Sequence, residues 1–370
     1  VTAAPDRTRP EPRWLTIALI LLTLALGTAG GAAFNLLRLP VAWMIGAMCT
    51  VMVATLLGAP MRMTQLFRQP MAAVLGVLVG SAFTPTMAAR IPGWWPTLAA
   101  MAAYVLITSG ILYVYFRRLL GLDPVTAFCA ATPGGLNQMT ILSIELGGDE
   151  RVVGLSQGAR ILLVVLIIPF AFVALGLYDP ATRPPLGASL VGYPLGELAV
   201  LAACGVVGFG GAALLRIPAA SVTGPMVVSA AVHLFGWSGT GPPGELIAAA
   251  QVVIGASVGA RFAGVGLRRI ARIVVNAVGA TVIMIGFTAA FAVTLYEVVD
   301  VPLSALILAF SPGGLAEMSL IALAMGIEVA FVATHHFIRI TLIVIMGSAL
   351  FRVRTRQAPP TPTGEAAPGE

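Results

Sequence analysis

The stretch CAATPGGLNQMTIL, residues 129–142, sets Pro133, Gly134 and Gly135 in the middle of a segment that is otherwise apolar enough to lie in a membrane. Proline removes a backbone donor and glycine loosens the helix, so N–H and C=O groups lose their partners there, and lipid penalises each by several kcal/mol. Those groups must face protein, water or a ligand. Helix resumes at Leu136, and the free N–H groups and positive dipole end of its first turn favour an anion.

The motif returns as LAFSPGGLAEMSLI, residues 308–321, with Pro312 displaced by 179 positions from Pro133. Leu39-Pro40, Gly46 and Met48 pair with Ile217-Pro218, Gly224 and Met226, while Gly76 and Gly80 pair with Gly255 and Gly259, and Gly147 with Gly326. Arg160, inside an apolar run, pairs with Arg339. The chain therefore reads as a duplication: repeats over 14–178 and 194–351, a linker over 179–193, and short, polar, Pro-rich disordered tails over 1–13 and 352–370.

Composition sets the class. Hydrophobic residues make up 58%, charged residues 10%, and the mean hydropathy is +0.97, which excludes a soluble domain of this length. The expected fold is an all-α polytopic membrane protein. Apolar runs of about 20 residues, the length that spans a bilayer, fall near 14–36, 40–58, 70–89, 94–116, 151–178, 194–215, 218–236, 244–262, 273–296 and 327–350. The first is too long for a signal peptide and reads as a retained helix.

All 21 basic residues are arginines, and their placement chooses a topology. With five crossings per half, PGG segments that dip in and return, and a cytoplasmic N-terminus, sixteen arginines face the cytoplasm and three (Arg38, Arg90, Arg183) face out. Six crossings per half, with spanning PGG segments, move the loop holding Arg268, Arg269 and Arg272 outside and spoil the bias to eleven against eight. The positive-inside rule favours the first arrangement. An odd number of crossings makes the repeats inverted, a plan of many secondary transporters whose site lies at the repeat interface. A spanning but broken PGG helix, with another segment failing to cross, satisfies the same count.

Candidate solute- or ion-binding residues follow. Around the two motifs they are Thr132, Pro133, Gly134, Gly135, Asn137 and Gln138 in the first half, and Ser311, Pro312, Gly313, Gly314 and Glu317 in the second. Arg160 and Arg339 join them, because ionisable groups so deep in a span face a partner or cavity. Each has a blander alternative. The motif could be a hinge or a tight helix crossing, and the arginines could pair with Glu317, Glu145 or helix C-terminal carbonyls. Glu317 stands where the first half has Gln138, which suits a proton- or sodium-coupling carboxylate; an ion pair with one arginine explains it nearly as well.

His335 and His336 are about 100° apart on a helix, cannot chelate one metal as an i, i+4 pair can, and read as packed, hydrogen-bonded residues. Cys49, Cys129 and Cys204 lie singly, without metal-ligand spacing. No cofactor is expected.

The paired PGG segments, the RLPVAWMIGAM and RIPAASVTGPM elements and the two-half plan resemble the AbrB family of duplicated bacterial membrane proteins, over about residues 15 to 350. Members carry labels of ammonia monooxygenase or transcriptional regulator, and the family looks distantly similar to the cation/proton antiporter and anion transporter superfamily. The resemblance implies inverted repeats with interrupted helices, and it supplies no site residues. An oxygenase would need copper or di-iron ligands that three histidines cannot provide, and no groove-reading module supports direct nucleic-acid binding. The expected function is an inner-membrane secondary transporter of a small anionic organic solute, both termini cytoplasmic; the alternative is a membrane sensor acting indirectly on gene expression. Its partners would be the solute, a coupling proton or sodium ion, the bilayer and, in an oligomer, further copies of the chain.

Overall fold

A computed structural model of the protein describes residues 12–182, 184–264 and 267–357, with the side chains of 137, 265–274 and 348–357 left outside the description. Much of the expected tails therefore lies outside the described residues, as do the side chains of Asn137, Arg183, Arg268, Arg269 and Arg272. Every regular element among the described residues is helical.

Seven helices of eight residues or more fill the first half: α1 (Arg13–Leu36), α2 (Ala42–Leu56), α3 (Gln65–Ser81), α4 (Trp95–Val114), α5 (Pro124–Ala131), α6 (Leu136–Glu145) and α7 (Glu150–Ala174). Seven more follow in the second: α8 (Leu195–Leu214), α9 (Ala220–Leu234), α10 (Gly244–Gly259), α11 (Leu267–Tyr296), α12 (Leu303–Phe310), α13 (Leu315–Ala324) and α14 (Val329–Gln357). Among the described residues, seven stretches are long and apolar enough to cross a membrane: Arg13–Leu36, Ile91–Leu119, Glu150–Ala174, Leu195–Leu214, Gly244–Phe262, Val275–Tyr296 and Val329–Gly347. Three of the ten expected spans take shorter form, as α2, α3 and α9. At 1.5 Å per residue, the 15 residues of α2 reach about 22 Å, short of a 30 Å hydrocarbon core. Helix α2 buries Ala42, Met44, Ile45, Ala47 and Met48 against other helices, so its length answers to protein rather than to lipid.

The PGG segments are short helical hairpins. Asp123 caps α5, its Oδ1 accepting from the N–H groups of Val125 and Thr126 at 3.0 Å. Helix α6 ends in a Schellman turn, in which Gly148 N–H donates to Ser143 O (2.7 Å) and Gly147, at φ 77°, to Ile144 O (3.1 Å). The next residue, Asp149, donates its N–H to Thr126 Oγ1 at 2.8 Å. The chain thus leaves the first hairpin beside the point where it entered. Its arms of 8 and 10 residues reach about 12 and 15 Å, roughly half the core. The second hairpin has arms of the same lengths and the same ending, with Gly326 at φ 64° and Ile327 N–H donating to Ala322 O.

Packing exchanges the halves. Helix α3 lies on α9 as α10 lies on α2; α1 meets α10 as α8 meets α3; α7 meets α11 as α14 meets α4. The paired glycines explain the first exchange, because a Cβ on Gly76 or Gly80 would strike the carbonyls of Val222 and Met226, and one on Gly255 or Gly259 those of Met44 and Met48. Entry to α2 and α9 uses left-handed backbone without glycine, at Arg38 and Val41 (φ 55° and 48°) and again at Arg216 and Ala219 (φ 54° and 53°). Such residues cost of order 1–3 kcal/mol each, and nothing in their residue types announces them.

Helices α1–α3 and α8–α10 form one bundle; α4, both hairpins, α7, α11 and α14 form the other. The bundles meet where α3 touches α13 and α14, and where α7 touches α2 and α10.

Candidate functional site: a basic cavity between two broken helices

The carbonyls freed by each break are taken up by the long helix that follows. On α7, Gln157 Nε2 donates to Cys129 O (2.8 Å) and Thr132 O (2.9 Å), while the Arg160 guanidinium donates to Thr132 O (3.5 Å) and Gly134 O (3.4 Å). On α14, His336 Nε2 donates to Leu308 O (2.9 Å), and Arg339 donates to Ser311 O (2.5 Å) and to Gly313 O. The i, i+3 spacing puts each polar pair on one helix face, above its hairpin. Among the partners open to the two arginines, the geometry selects backbone carbonyls rather than Glu317 or Glu145. His335 is packed as well, against Phe331 O and Thr97 Oγ1 at 2.8 Å each.

Each guanidinium has more to give. Arg160 and Arg339 are 4% and 1% exposed, and the Nε of both lacks a hydrogen-bond partner. Both line a cavity of about 110 Å³ at the junction of the bundles, with Gly134, Gly135, Gln138, Gly313, Gly314 and Glu317 on the same wall. The structure therefore brings most of the sequence-derived candidates into one place, from both halves. Thr132, Pro133, Ser311 and Pro312 stand behind that wall. The hydroxyls of Thr132 and Ser311 turn back to Phe128 O (2.8 Å) and Ile307 O (2.5 Å), so these residues offer carbonyls to the arginines and no hydroxyl to the cavity. Asn137's side chain lies outside the described residues.

Gly135 and Gly314 are the N-cap residues of α6 and α13. From three positions on, Gln138 and Glu317 fold back over them, so a Cβ on either glycine would collide with the amide or carboxylate. With its amide turned to satisfy both groups, Gln138 donates to Gly135 O (3.2 Å) and accepts from Ala219 N–H (2.9 Å), tying the first hairpin to the left-handed entry of α9. No hydrogen bond or ion pair holds Glu317 among the described residues; it is 6% exposed, and Arg261 feels its charge.

Arg261 and Arg68 complete the lining from the other bundle, and the sequence reading missed them as site residues by counting them only as loop arginines. The available signal was their lack of counterparts. At the 179-residue spacing of Gly76 and Gly255, Arg68 matches Ile247 and Arg261 matches Ala82. Four guanidinium groups thus face one carboxylate. Among the described residues no three His, Cys, Asp or Glu side chains converge as metal ligands.

The family model described as "Transition state regulatory protein AbrB" matches residues 43–355. The protein YhjN of Bacillus subtilis (strain 168) is 26% identical over 354 residues, covering 89% of this chain and 91% of its own length. A protein of Escherichia coli (strain K12), named "Putative regulator AbrB", is 25% identical over 357 residues, covering 95% of this chain and 99% of its own.

Proposed function

The chain belongs to the AbrB family, and on that premise we propose that it is a secondary transporter of the bacterial inner membrane, moving a small anionic organic solute through the cavity between the hairpins. The observation that carries this reading is the convergence on one cavity of both broken helices, Arg68, Arg160, Arg261, Arg339 and a single carboxylate, Glu317. Guanidinium groups in a low-dielectric site are costly without a counter-charge, and an anion supplies it. The N-termini of α6 and α13 add their positive dipole ends.

In this reading Arg160 and Arg339 have two duties. Each fixes its hairpin through two carbonyls and presents remaining N–H groups to the solute. Glu317 exchanges the coupling proton or sodium ion, while Gln138 is its permanently neutral counterpart. The repeats are inverted, both termini are cytoplasmic, and rocking of one bundle against the other exposes the cavity to alternate sides. The residues bind and move a solute and perform no bond chemistry.

A second reading, ligand sensing without flux, draws on the regulator named in Escherichia coli. One experiment separates the two. Purified protein in nanodiscs is screened by thermal shift against small mono- and dicarboxylates, and any stabilising compound is then tested for uptake into proteoliposomes. Stabilisation with saturable uptake supports transport; stabilisation without uptake supports sensing; neither effect from any anion overturns both.

A further inference from the structure

A chamber of about 230 Å³ adjoins the central cavity and shares two residues with it, Arg68 and Arg261. Its remaining walls include Arg62, Thr64, Gln65 and Ser257. Arg68 stands on α3, and Arg261 in the turn that ends α10. The Nε of each is buried without a hydrogen-bond partner, and Arg261 feels the charge of Arg68 as repulsion. Both residues are only part-buried, and two like charges held close favour a group of opposite sign joining them. Glu317, on the central cavity, offers Arg261 one opposite charge. The chamber walls hold hydroxyl and amide groups and no carboxylate.

We propose that Arg68 and Arg261 form a second anion-binding station, which takes a carboxylate- or phosphate-type solute at the mouth of the central cavity. This rests on the cavity being a solute site and adds a step to it: the anion is desolvated at the outer pair before it meets Arg160 and Arg339. It also makes the two approaches unequal. Where the second half would repeat the station, Ile247 and Ala82 stand instead, so the opposite approach carries no matching basic pair.

The test needs no knowledge of the natural solute. Thr64→Cys is introduced into full-length protein whose Cys49, Cys129 and Cys204 are replaced by alanine, and the protein is placed in nanodiscs of zwitterionic lipid. Alkylation rates are measured with an anionic and a cationic methanethiosulfonate reagent, with sulfate or succinate as protector. The anionic reagent is expected to react roughly tenfold faster, as electrostatic focusing allows, and either protector should slow it saturably. Arg68→Gln with Arg261→Gln should abolish both effects, and Arg68→Lys with Arg261→Lys, the control for folding, should keep the charge preference. Arg160→Gln, which removes a guanidinium from the central cavity, should leave both effects intact, so failure of the central site and failure of the station read differently. Equal rates with the two reagents, or protection that survives the double glutamine variant, would overturn the proposal. So would loss of sulfate protection when phosphatidylglycerol is added to the nanodiscs, because the station would then hold a lipid headgroup.

Discussion

Arg160 and Arg339, 179 positions apart, each donate to two carbonyls around a Pro-Gly-Gly break, and their guanidinium groups line one cavity from opposite halves of the chain. Lysine keeps the charge but loses the planar fork that serves two acceptors. Arg339→Lys and Arg160→Lys are each expected to lower stability by about 1–3 kcal/mol, measured by thermal unfolding in detergent. No loss in either variant would mean that the paired carbonyl contacts do not hold the hairpins.

Glu317→Gln makes the two hairpins alike in charge. Because Glu317 makes no hydrogen bond or ion pair among the described residues, stability should change by less than about 1 kcal/mol. A loss of about 3–5 kcal/mol, typical of a broken buried ion pair, would contradict that geometry. Gradient-driven accumulation should disappear while solute binding persists; undiminished accumulation would remove Glu317 from the coupling role.

Gly314→Ala tests the placement of Glu317 directly. At φ −81° the backbone accepts alanine, yet the new Cβ meets the Glu317 carboxylate. The side chain should swing away at a cost of about 0.5–1.5 kcal/mol, and solute affinity should fall with the displaced carboxylate. Binding equal to that of the unaltered chain would show that its position is immaterial.

The mouth of the first hairpin responds to pH through Asp123. Burial raises its carboxyl, but hydrogen bonds from the Thr126 hydroxyl and from the N–H groups of Thr126 and Val125 outweigh that and leave it below the usual carboxylate value. A carboxyl lowered in the folded state stabilises above its unfolded value, about 3.9, and that contribution is lost as pH falls through the folded value. Thermal stability should therefore fall on acidification more in the parent than in Asp123→Asn. Thr126→Val, which strands the Asp149 N–H, should cost about 1–3 kcal/mol at any pH; cysteines placed at 123 and 149 should then label together, from one side of the membrane.

Inverted repeats predict sidedness. Cysteines replacing Arg117 and Arg268 should react from the cytoplasmic side in oriented membranes, and those replacing Asp179 and Asp300 from outside. Labelling of position 268 from outside would replace the inverted plan with a parallel one.

The sequence by itself determined the class, the two breaks and the candidate residues around them. Hydropathy is a sum over composition, a Pro-Gly-Gly break is local covalent chemistry, and a repeat spaced by 179 positions pairs Arg160 with Arg339 without knowledge of where either points. Only the tertiary structure decided the partners. The arginines bond carbonyls 26 to 28 residues earlier, Gln157 and His336 share that work, and Asp149 closes on Thr126 to make the first break a closed hairpin. Arg68 and Arg261 became site residues only when the two bundles packed together, bringing loop-end arginines against hairpins more than 50 residues away in sequence. A residue's type says what it can bond. Which groups are left unsatisfied within its reach is settled by the packing of distant helices, as the left-handed Ala219 offering its N–H to Gln138 shows.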